Sequence, residues 1–353
     1  MKFELQTTLS DAEVVFRIRQ LPTPLLRWYH ENRRILPWRE EVSPYRVWVS
    51  EIMLQQTRVR AAIPYYERFL KELPTIQDLA EADDDLLKKL WEGLGYYSRV
   101  RNLKAAAVKV MEEFGGELPA DYKRLQTLPG IGEYTAGAIG SIAFGLKVPV
   151  VDGNVLRVFS RIFASHLDIM RPQSKTEFTR LAQEMLPEET GDFNQSLMEL
   201  GATVCVPNGA PLCEVCPVRD LCAAYGTPLA ETLPVKTEKA ARIKKEYTVL
   251  VYRCGDRYLV QKRPESGLLA GMWEFVMKDG HLTETQVETL TGGVVTKLGK
   301  SKHIFTHVEW HMVGYLVCVD TADQGVWATT EELRETFAIP AAFRKYRDAI
   351  FTE

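Results

Sequence analysis

Four of the six cysteines lie close together, at Cys205, Cys213, Cys216 and Cys222, in the spacing C-x7-C-x2-C-x5-C. Four thiolates on so short a segment can wrap a tetrahedral zinc ion or an iron–sulfur cluster. Zinc sites usually come as two C-x2-C pairs, and this segment has one, so the spacing favours iron–sulfur. The intervening residues (VPNGAPL, EV, PVRDL) are loop-like, which argues against four unliganded core thiols. A second feature is Leu128-Pro129-Gly130-Ile131-Gly132, a glycine-rich turn before a helical segment that opens with Glu133-Tyr134-Thr135. Such a turn exposes backbone N–H groups at a helix start, where an anion such as phosphate is stabilised. A third is Glu51, set among Val47, Ile52 and Met53. A carboxyl in that apolar setting has a raised pKa and can act as a proton donor. Asp152 precedes another helical segment, where its ordinary role is that of N-cap.

The elements that must position these groups are mostly helices. Through the first two thirds of the chain, apolar residues recur every three or four positions and Pro or Gly closes each segment. One helix opens at Ser43-Pro44 and runs through YRVWVSEIMLQQTR, carrying Glu51. Others are read at AAIPYYERFLKEL, DDDLLKKLWEGLG, RVRNLKAAAVKVMEEFG, EYTAGAIGSIAFG, NVLRVFSRIFA and DFNQSLMELGATVC. Residues 226–246 carry prolines and a basic cluster and read as an exposed linker. Beyond them the texture is strand-like. Two apolar runs flank Cys254-Gly255-Asp256 as a hairpin, HMVGYLVCVD continues the pattern, and TTEELRETFA is a capped helix. Cys254 and Cys318 read as buried small hydrophobes. The organisation expected is an all-α domain over 1–225, a linker over 226–246, and an α+β domain over 247–353.

Composition sets the outer limits. With 353 residues, 46% hydrophobic and 26% charged, the chain can bury more than one core and is not disordered. No apolar run is long enough for a transmembrane helix, and the first residues lack the pattern of a secretory signal. The expectation is a cytoplasmic, monomeric protein with no membrane partner. A net charge of −3 excludes a globally basic nucleic-acid binder, so any such binding must be local.

The segments WVSEIMLQQTRV (Trp48 to Val59), LPGIG, VDGNVLRVFSR (Val151 to Arg161) and the cysteine cluster occur in this order and closely resemble the endonuclease III superfamily. LPWR at Leu36–Arg39 and the extra C-terminal domain point to its adenine glycosylase branch, the MutY family. The resemblance implies an all-α helix-hairpin-helix glycosylase domain with one [4Fe-4S] cluster on Cys205, Cys213, Cys216 and Cys222, plus a separate α+β Nudix-like domain. It implies excision of adenine from double-stranded DNA at A·8-oxoguanine and A·G mispairs. Glu51 then protonates the leaving base and handles the attacking water. Asp152 is the ionised carboxylate that stabilises the oxocarbenium-like sugar, with Asn154 beside it. Tyr134 stands where bifunctional members carry the lysine that forms a Schiff base, so no β-lyase activity is expected.

By the same resemblance, Trp38, Arg39 and Gln195 line the pocket for the flipped adenine, and Gln56 and Tyr96 enter the base stack. Leu128, Gly130, Gly132 and Thr135 belong to the DNA-gripping turn. The C-terminal domain resembles a Nudix fold around GLLAGMWEFV, yet HLTETQVETLTGG lacks the acidic run that binds magnesium in Nudix hydrolases. It reads as a lesion-recognition module, with Phe305-Thr306-His307 standing where the family has Phe-Ser-His. The first cluster loop has seven residues where the family usually has six. The alternatives are a G·T mismatch thymine glycosylase of the same superfamily, a catalytically silent DNA-binding or redox-sensing protein on the same scaffold, and a Nudix nucleotide hydrolase. The long C-terminal domain weighs against the first, the two carboxylates against the second, and the missing acidic run against the third.

Overall fold

A computed structural model describes residues 3–238, 241–322 and 325–352. The chain divides into two compact units, one of Met1–Ala80 with Asn102–Glu238, the other of Glu81–Arg101 with Lys239–Glu353.

The first unit is helical. The helix Pro44–Leu54 starts where Ser43 accepts the Arg46 N–H (3.3 Å) and Pro44 presets the first turn. Almost all of it is buried, from Val47 through Met53. It ends earlier than the sequence suggests: Gln55 is its C-cap and Gln56 turns to φ 57, so Gln56 and Thr57 form a corner before the helix Val59–Glu72. The helix Glu133–Phe144 is built of small residues and buried from Thr135 to Ser141. The helix Gly153–Ile162 is buried from Val155 onward and packs on Phe178, Leu181, Phe193 and Leu197. It thereby anchors Asp152, at its N-cap, to the main core. The segment read as an exposed linker is held to this unit in its first half. Leu229–Thr232 forms a short helix, Leu233 is buried, and Ile169 N–H donates to the Val235 carbonyl.

The second unit is built on a mixed sheet of seven strands: β1 Ile243–Cys254, β2 Arg257–Lys262, β3 Trp273–Glu274, β4 Val276–Asp279, β5 Val294–Ile304, β6 Val308–Cys318 and β7 Val326–Thr329. The path runs β3-β2-β1-β6-β5, with β4 against β1 and β7 against β2. The hairpin read at Cys254-Gly255-Asp256 is present, closed by Cys254 opposite Arg257, with Gly255 at φ 61. β1 and β6 are parallel from Ile243↔Val308 to Arg253↔Cys318. β5 and β6 form a second hairpin whose turn is Phe305-Thr306-His307. Val249, Val251, Phe275, Trp310 and Tyr346 form the core. Cys318 departs from expectation: it is exposed, and Cys254 only partly buried, because both end their strands beyond that core.

Candidate active site

Seven residues singled out by the sequence come together in the first unit. Glu51, Asp152, Tyr134, Asn154, Trp38, Arg39 and Gln195 all line one cavity of about 190 Å³. No lysine is among its lining residues.

Glu51 is 7% exposed and accepts the Tyr134 hydroxyl at Oε2 over 2.7 Å. Burial pushes its carboxyl up, the Tyr134 hydrogen bond opposes this, and the Asp152 charge adds to it; the result is about 7. Asp152 is the N-cap the sequence suggests, its Oδ1 accepting the N–H groups of Asn154 (2.9 Å) and Val155 (2.8 Å). Its Oδ2 accepts the Asn154 side-chain amide over 2.7 Å. Burial raises its pKa too, but these hydrogen bonds favour the carboxylate and hold it back. Capping and site membership are thus one arrangement: the bonds that start the helix also stabilise a charge facing the cavity. Asn154 is itself held by Arg157 Nη2 over 3.0 Å, and Arg157 donates onward to the Gly201 and Cys205 carbonyls.

At the far end of the cavity a polar network fixes the pocket residues. Arg39 Nε donates to Gln195 Oε1 (3.1 Å) and its Nη2 to Glu199 Oε2 (2.9 Å). Arg34 grips the same Glu199 carboxylate through Nε and Nη2. Burial alone raises the Glu199 pKa; the Arg34 and Arg39 guanidiniums outweigh it and leave the carboxyl below its ordinary value. Trp38 is buried and meets the Tyr66 ring edge-on at 5.3 Å. Sequence reasoning missed Arg34, Glu199 and Gly201. Glu199 had a signal, since it lies one helical turn after Gln195 and so on the same face. Gly201 had none: only the fold brings a Cβ at that position to 2.6 Å from Asn154 Cβ.

The glycine-rich turn has the expected form. Gly130 sits at φ 77, where a Cβ would also meet Asn102 Cβ at 2.8 Å. Gly132 is the exposed N-cap of the helix Glu133–Phe144, without a side-chain cap, so that helix start is open to an anion. Leu128 and Thr135 offer DNA only their backbone. Both side chains are buried, at 2% exposure, because Leu128 packs inward and Thr135 receives the Gln55 amide (3.4 Å). They support the turn and the Gln56 corner from within.

Gln56 is exposed at that corner. In the second unit Tyr96 is also exposed, at φ 49, and its hydroxyl lies 3.1 Å from Thr306 Oγ1. Arg99 supports the Tyr96 loop by donating to the Leu94 and Gly95 carbonyls. In the β5–β6 turn Phe305 is partly buried against Trp310, while Thr306 and His307 are exposed.

Cys205, Cys213, Cys216 and Cys222 line a common cavity with Arg161, whose Nη1 donates to Cys205 Sγ over 3.2 Å. Burial pushes Cys216 up to about 12 and Cys222 to about 11, so as free thiols both are protonated. A single tetrahedral zinc with Zn–S bonds near 2.3 Å holds its sulfurs about 3.8 Å apart. Among the described residues no three of these sulfurs lie within 4.8 Å of one another. Four thiols around one cavity, faced by a guanidinium, are a donor set that fits an anionic thiolate-bound metal centre. The seven-residue first loop leaves Cys205 and Cys213 on the same cavity.

Among the described residues no helix is long and apolar enough to cross a membrane.

A helical unit that gathers two unlike carboxyls behind a glycine-rich turn, joined to a Nudix-type sheet, defines a DNA-repair glycosylase of the helix-hairpin-helix class. Residues 49–188 match the HhH-GPD superfamily of base excision DNA repair proteins, and residues 247–349 match the NUDIX domain. An adenine DNA glycosylase of Mus musculus is 39% identical over 92% of this chain and 77% of its own length. The chain belongs to the adenine DNA glycosylase family. Among solved structures, a thermostable thymine-DNA glycosylase is similar over 61% of this chain and 97% of its own, with a TM-score of 0.54 and 29% identity. An endonuclease III–DNA covalent intermediate shares the fold, with a TM-score of 0.52 and 20% identity over 62% of this chain and 98% of its own.

Proposed function

We propose that this protein hydrolyses the N-glycosidic bond of adenine mispaired with 8-oxoguanine or guanine in duplex DNA, without cutting the strand. The observation that carries the reading is the cavity in which Glu51, held near neutrality by burial, stands with Asp152 and Tyr134. Base excision is glycoside hydrolysis, and it needs one carboxyl able to give a proton and one able to stay charged. Glu51 donates to the departing adenine and then takes a proton from water. Asp152, whose pKa burial raises but whose charged form three hydrogen bonds favour, stabilises the cationic sugar. Trp38, Arg39 and Gln195 hold the flipped base; Gln195 Oε1 accepts from Arg39 and one amide N–H donates to Asp192 Oδ1 (3.4 Å), so the second N–H serves an adenine acceptor. Gln56 and Tyr96 fill the stack, and backbone N–H groups after Gly132 take a phosphate.

No amine lines the cavity to form an imine with the sugar, which supports a monofunctional enzyme. The cysteine geometry supports one [4Fe-4S] cluster, held by Cys205, Cys213, Cys216 and Cys222. Its chemistry here is structural, ordering a loop too poor in apolar residues to order itself. Thiolate ligands suit a reducing compartment, and we take the enzyme to be a cytoplasmic monomer of the two compact units described above. Phe305, Thr306 and His307 recognise the 8-oxoguanine.

The likeness to a thymine-DNA glycosylase structure favours a second reading, excision of thymine from G·T. One assay separates them: duplexes carrying A·8-oxoguanine, A·G or G·T, scored with and without hot alkali. Adenine release with alkali-dependent breakage is expected. Breakage without alkali, or borohydride trapping of the unaltered protein, excludes the monofunctional mechanism, and thymine release alone replaces the substrate.

A further inference from the structure

Among the described residues, five non-glycine residues adopt a positive φ: Gln6, Gln56, Tyr96, Ala164 and Leu269. That region is unfavourable for any residue with a Cβ, and where it persists the surroundings must enforce it. Ala164 has an ordinary reason, since it follows the C-cap of the helix Gly153–Ile162. Gln6 lies where the N-terminal segment accepts the His166 N–H. Gln56 and Tyr96 are the two exposed side chains assigned above to the base stack. Leu269, at φ 58, packs partly against the core of the second unit but belongs to no helix end, and packing alone does not require a positive φ.

Leu269 lies in the loop between β2 and β3, flanked by Gly267 (φ 90) and Gly271 (φ 66). The loop is firmly tied. Arg263 Nε donates to the Leu268 carbonyl (3.1 Å), Gly271 N–H to Pro264 (3.0 Å), and Met272 N–H to Leu269 itself (3.1 Å). This lacing keeps a leucine where a glycine is the natural residue. Its side chain is only partly buried and faces a cavity of about 340 Å³ within the second unit. Tyr96, Phe305 and Thr306 line the same cavity, with Arg101, Ser98, His303 and His307 among its cationic and polar groups. An apolar wall, an aromatic ring and a cation around one opening suit a nucleotide: base against the apolar faces, phosphate toward Arg101.

We propose that Leu269 is a specificity-determining contact on the lesion side. Its isobutyl group forms the apolar wall against which the nucleotide opposite the adenine packs, facing Tyr96. This rests on the reading of the Phe305-Thr306-His307 turn as the lesion reader. The strained backbone is what presents the side chain to the cavity.

The test uses the full chain with Leu269→Gly and Leu269→Asn, both of which accept positive φ. Single-turnover excision is measured on A·8-oxoguanine and A·G duplexes, with thermal melting and a parallel Thr306→Val variant. The expected result is a preference for A·8-oxoguanine reduced about fivefold, or ~1 kcal/mol, in both Leu269 variants. A lowered melting temperature with the preference unchanged makes Leu269 a core residue and overturns the proposal. If Thr306→Val narrows the preference and neither Leu269 variant does, this inference fails alone. If none of the three changes it, the lesion-reading role of the whole turn fails with it.

Discussion

The Tyr134 hydroxyl donates to Glu51 Oε2 over 2.7 Å, at the position that the resemblance to the endonuclease III superfamily aligns with a Schiff-base lysine. The tyrosine therefore does more than leave out an amine. A hydrogen bond donated to a carboxylate favours its charged form, so Tyr134 tempers a pKa that burial has raised to about 7. Tyr134→Phe should raise the Glu51 pKa further. In the proposed mechanism excision requires protonated Glu51, so its rate falls as pH rises through that pKa. The alkaline limb of the single-turnover rate should begin near 7 in the unaltered enzyme and move upward in Tyr134→Phe. A limb that stays in place, or moves to lower pH, separates Tyr134 from the proton donor.

Glu51→Gln keeps the size and hydrogen bonding of the side chain but has no proton to give. Excision should be abolished with duplex binding nearly intact, and retention of more than a tenth of the rate would sink the acid assignment. The same variant tests burial through stability. Glu51 titrates near 4.5 when unperturbed and about 7 in the fold. Between those values the unfolded chain has already lost the proton that the folded one keeps, so stability falls as pH rises across that window. Urea midpoints at pH 5 and pH 8 should differ less in Glu51→Gln than in the unaltered protein.

Gly201 permits the helix Thr190–Thr203 to lie against Asn154, where an added Cβ would stand 2.6 Å from Asn154 Cβ. Asn154 in turn holds Asp152 Oδ2. Gly201→Ala should cost ~1–3 kcal/mol of stability through overpacking and lower the excision rate more than duplex binding. Melting temperature and single-turnover kinetics check this together. Full activity in a stable Gly201→Ala protein shows that Asp152 does not depend on this contact.

The isolated protein should be yellow-brown and hold about four irons. Cys213→Ser should lower iron content and DNA binding together, since the loop loses the centre that orders it. A colourless preparation with one stoichiometric zinc replaces the cluster.

The sequence by itself determined the elements and the chemical cast. Ser43-Pro44 marks a helix start, LPGIG marks a turn into another, and Gly255-Asp256 closes a hairpin, because caps and turns are local chemistry that neighbouring residues dictate. The spacing of the four cysteines is that of a metal-binding set, and Glu51 declares its burial through the apolar residues beside it. Tertiary structure decided what depends on distant segments meeting. The Arg34–Glu199–Arg39 network joins residues more than a hundred positions apart, and nothing near Arg34 announces a buried carboxylate waiting for it. Thr135 and Leu128 sit in the turn read from the sequence as DNA-gripping, yet packing turned both side chains inward. The strain at Gln56, Tyr96 and Leu269 was also invisible, because a backbone is forced to positive φ by the hydrogen bonds and packing around it, not by the residue it carries.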